Sequence, residues 1–566
     1  MVRSIIFLLF IVFYSIECHS QIDFQDTAAA VGLPVSVGNP SFGSGISLVD
    51  FNDDGWDDVT LATDANSNVR FFENNNGIFT EVFFPAVNMM YRTKAVTWID
   101  IDNDDDKDLF VTSDTGSNRL FENQGAAGLV EITAASGLTT SGLESFGASW
   151  ADVNNDKYLD LFVSVRSQVN SNKLYVNNGD NTFTDQTATS GISLQPRMSF
   201  CSAFFDFDND GDQDLYVSND KYAFENWLFQ NDGTGNFTDL SVDSSSNLLI
   251  DAMSTTVGDY NNDGFFDIYV TNNPQGNILL KNNGNATFSD VTTDTGTSFD
   301  SVGWGAVFVD VDNDADQDLY VSGMFDGSNR NLLSAALYEN NSNIFTIPTA
   351  PGLVADTGTS FSNAVSDFNQ NGSMDIFVTN NNQENIFLWD NVSTGLGNWV
   401  KIRLTGKFCN KDGIGAVIKI TCNGQDQYKT LLAGEGYLSQ NSGTIHFGIG
   451  TNSIIDELTI YWPDGTTDSN YGINPNQVVN ILQAETLSLV DNLNAQISLR
   501  YSSIEKKVHI ISQEPIAEAR LYSLSGTLIQ KVKVLNSFNT EHLPDGLYII
   551  KVSTIKDAMS IKFRKF

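Results

Sequence analysis

The sequence predicts an all-β chain: a seven-bladed β-propeller, then a small β-rich domain, then a C-terminal immunoglobulin-like β-sandwich. One pattern recurs seven times, beginning at Asp50, Asp100, Asp152, Asp206, Asp259, Asp310 and Asp367, at spacings of 50, 52, 54, 53, 51 and 57 residues. A period near 50 is the mark of a radial or solenoid array. Within each copy four short runs alternate β-branched and aromatic residues between Gly, Asn and Asp, the pattern of strands and turns. Four strands per repeat make one propeller blade.

The elements of a blade follow in order. The first run leads into an acidic segment, as in ISLVD before the loop at Asp50, and the second leaves it, as in DLYVS after Gln213. The third opens on Asn, as in NKLYVNN from Asn172 and NILLKNN from Asn277, and the fourth follows an Asn/Gly turn, as in FTD from Phe183 and FSD from Phe288. Five residues before each starting Asp stand Gly45, Ala95, Gly147, Cys201, Ser254, Gly305 and Ser362, all small. Innermost strands converge on a propeller axis, where large side chains collide. One residue after each starting Asp stand Phe51, Ile101, Val153, Phe207, Tyr260, Val311 and Phe368, apolar anchors for each loop. Helices have no place in this pattern.

The acidic loops read DFNDDGWDD, DIDNDDDKD, DVNNDKYLD, DFDNDGDQD, DYNNDGFFD, DVDNDADQD and DFNQNGSMD. Positions 1, 3, 5 and 9 carry oxygen side chains in every copy, and alternate residues of a tight loop aim at one centre. The candidate metal ligands are Asp50, Asn52, Asp54 and Asp58; Asp100, Asp102, Asp104 and Asp108; Asp152, Asn154, Asp156 and Asp160; Asp206, Asp208, Asp210 and Asp214; Asp259, Asn261, Asp263 and Asp267; Asp310, Asp312, Asp314 and Asp318; and Asp367, Asn369, Asn371 and Asp375. A hard divalent cation takes six to eight oxygens, so the expected cofactor is Ca2+ in up to seven sites, with a backbone carbonyl added at position 7. A solvated Asx turn accounts for one such loop by itself; seven in register favour metal. Gly at position 6 permits the sharp turn, and Asp105, Lys157 and Ala315 replace it at a cost in strain. The Asp367 loop keeps only two ligand carboxylates and the Asp152 loop carries Lys157, so these two are expected to bind most weakly.

Charge distribution agrees. Residues 21–397 hold 54 acidic and 12 basic side chains, −42, and residues 398–566 hold 15 acidic and 17 basic, +2. Such acidity excludes phosphate neutralisation, so a nucleic-acid partner is not expected, and anionic membrane surfaces are disfavoured. Seven dications would reduce the repeat region to about −28.

Residues 1–20 combine Arg3, an apolar run from Ile5 to Ile16, and Cys18-His19-Ser20 before Gln21, the pattern of a secretory signal with its cleavage site. The run is short for a bilayer span, and Glu17 before Cys18 argues against a lipoprotein. No later stretch reaches 18 apolar residues, so the mature chain is expected to be exported and to lack a transmembrane segment. Of the remaining cysteines, Cys201 reads as a buried core residue; Cys409 and Cys422 flank an expected hairpin, and a bridge between them stays open.

With the small-residue strand before each loop and D-[LIV]-x-[VL] after it, residues 21–397 resemble FG-GAP/VCBS repeats of integrin-α-type propellers. The resemblance implies calcium-stabilised blades and adhesion or ligand binding without catalysis, the ligand being a surface glycan or protein taken by variable loops or the central funnel. Residues 398–484 contain KDGIGAVIKI, GEGYLSQN, IHFGIG and LTIYWPDG in order, and resemble the ASPIC/UnbV domain. Residues 485–566 carry ARLYSLSGTLIQ, LPDGLYIIKV and the basic end IKFRKF; alternating apolar residues with Gly turns read as a sandwich, and the segment resembles the C-terminal sorting domain of the type IX secretion system. That resemblance implies the secretion machinery as a partner and outer-surface display or release as the destination.

Histidines are His19, His446, His509 and His542, none in residues 21–397, so triad or His/Cys zinc chemistry finds no support in the repeats. His446 reads as structural, Gly413-Ile414-Gly415 lacks the context of a phosphate loop, and Trp462-Pro463-Asp464-Gly465 reads as a hairpin turn with a packed aromatic. The rival function is a calcium-dependent polysaccharide lyase or other carbohydrate-active enzyme, with Arg92, Lys94, Arg166, Arg197 or Lys221 as candidate bases.

Overall fold

The computed structural model describes residues 21–139, 142–324, 333–348, 352–353 and 356–483, and beyond them 497–502, 507–512, 516–523, 528–532, 537–539, 543, 546–554 and 558–565. The expected signal segment, residues 1–20, lies outside the described residues, as do His509-flanking residues 503–506 and His542. The chain divides into two compact units, residues 1–484 and 485–566.

The first unit is built of short antiparallel strands. Its helical elements among the described residues are one turn at Thr292–Thr295 and a 3-10 turn at Gly125–Ala127. Six sheets contain four consecutive strands in chain order, the first of them the strand before an acidic loop, for example Ser145–Ala151, Asp160–Val165, Lys173–Asn177 and Phe183–Asp185; the sheet of Ile46–Val49 gains Ser439–Gln440 as a fifth strand. The seventh differs from the expected four strands per copy. It takes Ser360–Ser366, Asp375–Asn380 and Phe387–Asn391 from the last repeat, and its outer strand is Phe24–Asp26 from the start of the chain, antiparallel to Phe387–Asn391 with Phe24 opposite Asn391. The first and last segments of the repeat region thereby share one sheet.

Strands leaving the acidic loops are buried on both faces, as in Asp160–Val165 and Asp214–Asn219. Apolar clusters fill the space between successive sheets: Ala151, Val153, Phe162 and Leu174 of one meet Phe204, Leu215, Val217 and Phe229 of the next. The last sheet meets the first in the same way, with Phe368, Phe377 and Leu388 against Ile46, Leu48, Val59 and Phe72.

The small residues before each loop stand where backbones crowd. A methyl group on Gly147 would lie 2.9 Å from the Phe200 carbonyl oxygen, and one on Gly45 only 2.2 Å from that of Leu438. Leu438 belongs to the following domain, which sequence alone did not place there.

That domain forms a three-stranded sheet, Thr444–Gly450 beside Asn398–Thr405 beside Gln477–Leu482, and a four-stranded sheet ordered Gln425–Thr430, Val417–Cys422, Ile455–Tyr461, Thr467–Ile473. Ile402, Ile418, Ile420, Phe447, Leu458 and Trp462 pack together with Trp150, Leu159 and Ile101 of the repeats, so the two share one core. The Trp462 turn is as expected, with the indole buried and its Nε1 donating to Asp468 at 2.9 Å. Cys409 and Cys422 are separate buried thiols with no bridge between them, and Cys201 is buried as expected.

The second unit contains two sheets, one ordered Ile497–Ser502, Lys507–Ser512, Ser537–Asn539, the other Leu528–Val532, Ile516–Ser523, Gly546–Thr554, Ala558–Lys565.

Candidate metal centre

All seven acidic loops share one hydrogen-bond scheme. The first Asp accepts from the backbone N–H groups of positions 5 and 6: Asp206 takes Asp210 at 3.1 Å and Gly211 at 2.9 Å, and Asp367 takes Asn371 at 2.9 Å and Gly372 at 2.8 Å. The ninth Asp accepts from the N–H of position 2 and from that of an Asn on the third strand: Asp160 takes Val153 at 2.9 Å and Asn177 at 2.7 Å. A short polar side chain bonding its own backbone is what holds a loop of this length closed.

The backbone explains the residue choice. Position 6 has positive φ in every loop, from 75° at Lys157 to 96° at Gly211. Glycine enters this region without a steric penalty, and Asp105, Lys157 and Ala315 adopt it with a Cβ, as the sequence led one to expect. Position 4 is also left-handed, from Gln370 at 54° to Asn103 at 64°. Sequence reasoning missed this, although the run of Asp53, Asn103, Asn155, Asn209, Asn262 and Asn313 was a signal, since Asn and Asp tolerate that region best.

Position 4 also joins loops. Asn209 donates to the carbonyl of Gly264 at 3.0 Å, Asn313 to that of Gly372 at 3.1 Å, and Gln370 to that of Gly55 at 2.8 Å. The third-strand Asn makes a parallel series. Asn231 donates to Val153, Asn282 to Phe207, Asn391 to Val311 and Asn74 to Phe368.

The loops are not equal. Three carboxylate groups converge within 4.8 Å in three of them, at Asp100/Asp102/Asp108, Asp206/Asp208/Asp210 and Asp310/Asp312/Asp318. These have Asp at position 3, whereas the loops between them have Asn52, Asn154, Asn261 and Asn369. They also carry a further carboxylate at position 7, Asp106, Asp212 and Asp316. Asp102 and Asp208 each hold a buried Oδ1 without a hydrogen-bond partner, and so does Asp106. A buried carboxylate oxygen lacking a donor is costly, and a cation is the partner that suits several of them at once. The residues present therefore fit a hard divalent cation.

The electrostatics of the loops point the same way. Burial pushes Asp100, Asp206, Asp259 and Asp310 up to about 7. Burial pushes Asp58 and Asp108 up to about 8, and holds Asp160, Asp214, Asp267, Asp318 and Asp375 well above the ordinary range. Neighbouring loop carboxylates raise them further. Lys157, expected near the Asp152 site, turns its ammonium onto the Tyr158 ring, 5.3 Å from the centroid.

The first strands of several sheets, expected from sequence to surround a central funnel, enclose a segment of the following domain. The GEGYLSQN segment runs between those strands: Ser439–Gln440 pairs in parallel with Ile46–Val49, and Gly436 exchanges hydrogen bonds with Thr255. Tyr437 and Leu438 pack among Ala95, Phe146, Phe200, Cys201, Trp304 and Phe361. The Tyr437 hydroxyl donates to the Phe42 carbonyl at 2.7 Å, and Gln440 accepts from Ser47 and the Trp98 N–H while donating to the Trp98 carbonyl, each at 2.8 Å. Small residues on the first strands leave room for this aromatic-bearing segment, and the pattern of repeats gives no sign of it.

The following domain also lies on the loops themselves. Lys107 pairs with Asp412, whose other oxygen accepts from the Asp100 N–H; Lys411 pairs with Asp105 at 2.7 Å; Arg403 donates to the Gly55 carbonyl. His446 is buried, its Nε2 3.2 Å from the Gly372 carbonyl and its ring near that of Trp399, a structural role as expected.

These repeats match a known family. FG-GAP-like repeat models match residues 50–111, 100–163, 152–217, 206–270 and 259–321, and the ASPIC and UnbV model matches residues 406–488. The chain is an FG-GAP repeat protein with an ASPIC/UnbV domain. The FG-GAP matches take in six of the seven acidic loops; the Asp367 loop lies past the last of them. Curated relatives carry the name cartilage acidic protein 1. The Xenopus tropicalis protein is 24% identical over 265 residues, 45% of this chain and 40% of that one. The Mus musculus protein is 21% identical over 435 residues, 74% of this chain and 61% of that one. This FG-GAP chain thus spans between 40% and 61% of the length of these relatives. Among solved structures, the extracellular domain of a hybrid two component system from B. thetaiotaomicron aligns at 12% identity over 93% of this chain and 65% of that one, with a TM-score of 0.39. YCF48 from Cyanidioschyzon merolae aligns at 12% identity over 65% of this chain and 98% of that one, with a TM-score of 0.40.

The candidate bases of the rival enzyme are engaged. Arg92 pairs with Asp114 at 2.6 Å and Arg166 with Asp220 at 2.5 Å, and Lys221 reaches Asp220 at 2.8 Å. Lys94 is buried and donates to the carbonyls of Ser41 and Gly43. Arg197 lies over the rings of Phe224 and Trp227. Among the described residues no helix is long and apolar enough to cross a membrane.

Proposed function

We propose that this chain is a secreted or cell-surface, calcium-binding module that binds a glycan or protein ligand without turning it over, on a closed seven-bladed propeller. The observation that carries the calcium reading is the buried Oδ1 atoms of Asp102 and Asp208, unpartnered inside clusters of three carboxylates. Positions 1, 3, 5 and 9 of a loop would hold its ion, with the loops at Asp100, Asp206 and Asp310 best supplied with carboxylates. Bound calcium supplies positive charge among crowded carboxylates and ties the turn between the first two strands of a sheet. The chain's own part is to close the loop through backbone N–H groups, so that the oxygens converge before an ion arrives.

Closure is supported by Phe24–Asp26 in the last sheet and by Asn74 and Gln370, whose hydrogen bonds run between the last loop and the first. An extracellular setting is supported by the word cartilage in the relatives' name and by the leader-like residues 1–20. In this reading residues 21–397 are the propeller, 398–484 the ASPIC/UnbV domain and 485–566 an immunoglobulin-like sorting domain for type IX export to the outer surface. With the funnel filled, ligand falls to the variable loops of the blades.

Metal analysis of the full chain, with melting in calcium and in chelator, tests the first part: bound calcium and a higher melting temperature are expected, and no ion with unchanged melting refutes it. A glycan and surface-protein binding screen with product analysis tests the second. Binding without turnover is expected; unsaturated oligosaccharide products would establish the lyase instead.

A further inference from the structure

We infer that the seventh acidic loop is closed by a tethered cation, the Lys401 ammonium of the ASPIC/UnbV domain, in place of a metal ion. This rests on the calcium reading of the other loops and concerns the one that departs from them. The loop DFNQNGSMD has Asn at positions 3 and 5, and Asp367 and Asp375 as its only ligand-position carboxylates. Asp375 accepts from the N–H groups of Phe368 and Asn391, as the ninth Asp does in every loop. Asn369 and Asn371 accept from the N–H groups of Asn371 and Ser373.

Among the described residues, Asp367 makes an ion pair seen at no other first-position Asp, although Lys429 lies close enough to Asp310 to act on it through space. The Asp367 Oδ2, which already accepts from Gly372, also accepts from Lys401 Nζ at 2.5 Å. Both side chains are sealed from water, 7% and 2% exposed. The lysine is held there. It sits on the central strand of its sheet, opposite His446 on one side and Val478 on the other. Its ammonium lies 5.1 Å from the Trp399 ring centroid. The Trp399 indole covers the loop's Gly372 so closely that a methyl group there would lie 1.9 Å from its Nε1.

The charge balance separates this loop from the three richest in carboxylates. Two ligand carboxylates and one ammonium leave −1, whereas the loops at Asp100, Asp206 and Asp310 present four ligand carboxylates each and another at position 7. A dication entering beside a buried ammonium meets like charge where desolvation makes repulsion strongest, and finds two carboxylates where the other loops offer three or four. Lysine is a compact point charge on a flexible stem, suited to a site whose oxygens are mostly amide and backbone.

Ion counting by native mass spectrometry on the full chain in calcium tests this, comparing wild type with Asp367→Asn. An unchanged count is expected; the loss of one ion per chain overturns the inference. A second measurement covers poor folding of that variant and is independent of calcium. In chelator, Lys401→Gln and Asp367→Asn should each lower the melting temperature, and the double variant should melt no lower than the worse single one. Additive losses overturn the inference. A chain that binds no calcium anywhere refutes the calcium reading, and the chelator cycle still decides the Lys401 pair.

Discussion

The side-chain amide of Asn74 donates to the backbone carbonyl of Phe368 at 2.9 Å, across 294 residues of chain. The same amide reaches the Asp57 carbonyl at 3.1 Å, and the Asn74 N–H donates to Asp58 at 2.8 Å. One buried residue on the first sheet thus ties its own acidic loop to the last. Equivalent residues on other sheets do the same between neighbours, so this bond is one term of a repeated series, placed where the two ends of the repeat region meet.

Asn74→Ala should therefore destabilise the first unit by about 1–3 kcal/mol, the cost of leaving a buried carbonyl without a donor. Chemical denaturation checks it. If the ends of the array are held elsewhere, the variant will match wild type.

Asp208→Asn should act in opposite directions with and without calcium. In calcium it removes a ligand charge and should lower the melting temperature; in chelator it relieves like-charge crowding around Asp206 and Asp210 and should raise it. Asn154→Ala, in a loop with fewer carboxylates, should show a smaller difference between the two conditions. Scanning calorimetry in calcium and in chelator separates the cases.

Glu435 in the axial segment is held up at about 7 by burial, with Asn441 donating to it at 2.6 Å. A carboxyl raised from 4.5 binds its proton more tightly when folded, so the unfolded chain holds fewer protons over that interval. Stability is undiminished below about 4.5, falls as pH rises towards about 7, and stays low above it, a loss on the order of 3 kcal/mol. Glu435→Gln should remove this component and flatten the profile relative to wild type, read as denaturation midpoints from pH 5 to 8 in calcium.

Tyr437 tests the packing of this segment among the first strands. Tyr437→Phe loses one hydrogen bond to Phe42, about 1 kcal/mol. Tyr437→Ala opens a cavity among Phe200, Trp304 and Cys201 and should cost about 3–5 kcal/mol. Thermal melts of both variants decide it; equal small losses would mean that the segment leaves the axis readily.

Much of the architecture was legible in the residues. The sevenfold period, the strand-loop-strand order, the small axial positions and the nine-residue acidic loops are properties of one repeat, and a repeat states its local structure seven times over. Strain at Asp105, Lys157 and Ala315 was legible for the same reason, since one missing glycine is conspicuous against those that remain. The alternation of Asp and Asn at position 3 was equally open to view; its meaning came only with the buried, unpartnered oxygens of Asp102 and Asp208.

The sequence by itself determined what each repeat does locally: which residues extend, which turn, and which carboxylates gather in a loop, because hydrophobic alternation and short-range hydrogen bonds act over a few residues. Tertiary structure alone decided what fills the axis, which strand completes the last sheet, and which cation reaches Asp367. Those contacts join different sheets and domains, from Lys401 and Asp367, 34 positions apart, to Tyr437 and Phe42, 395 apart. They depend on the shape left over after the repeats have packed, and no local pattern encodes that shape.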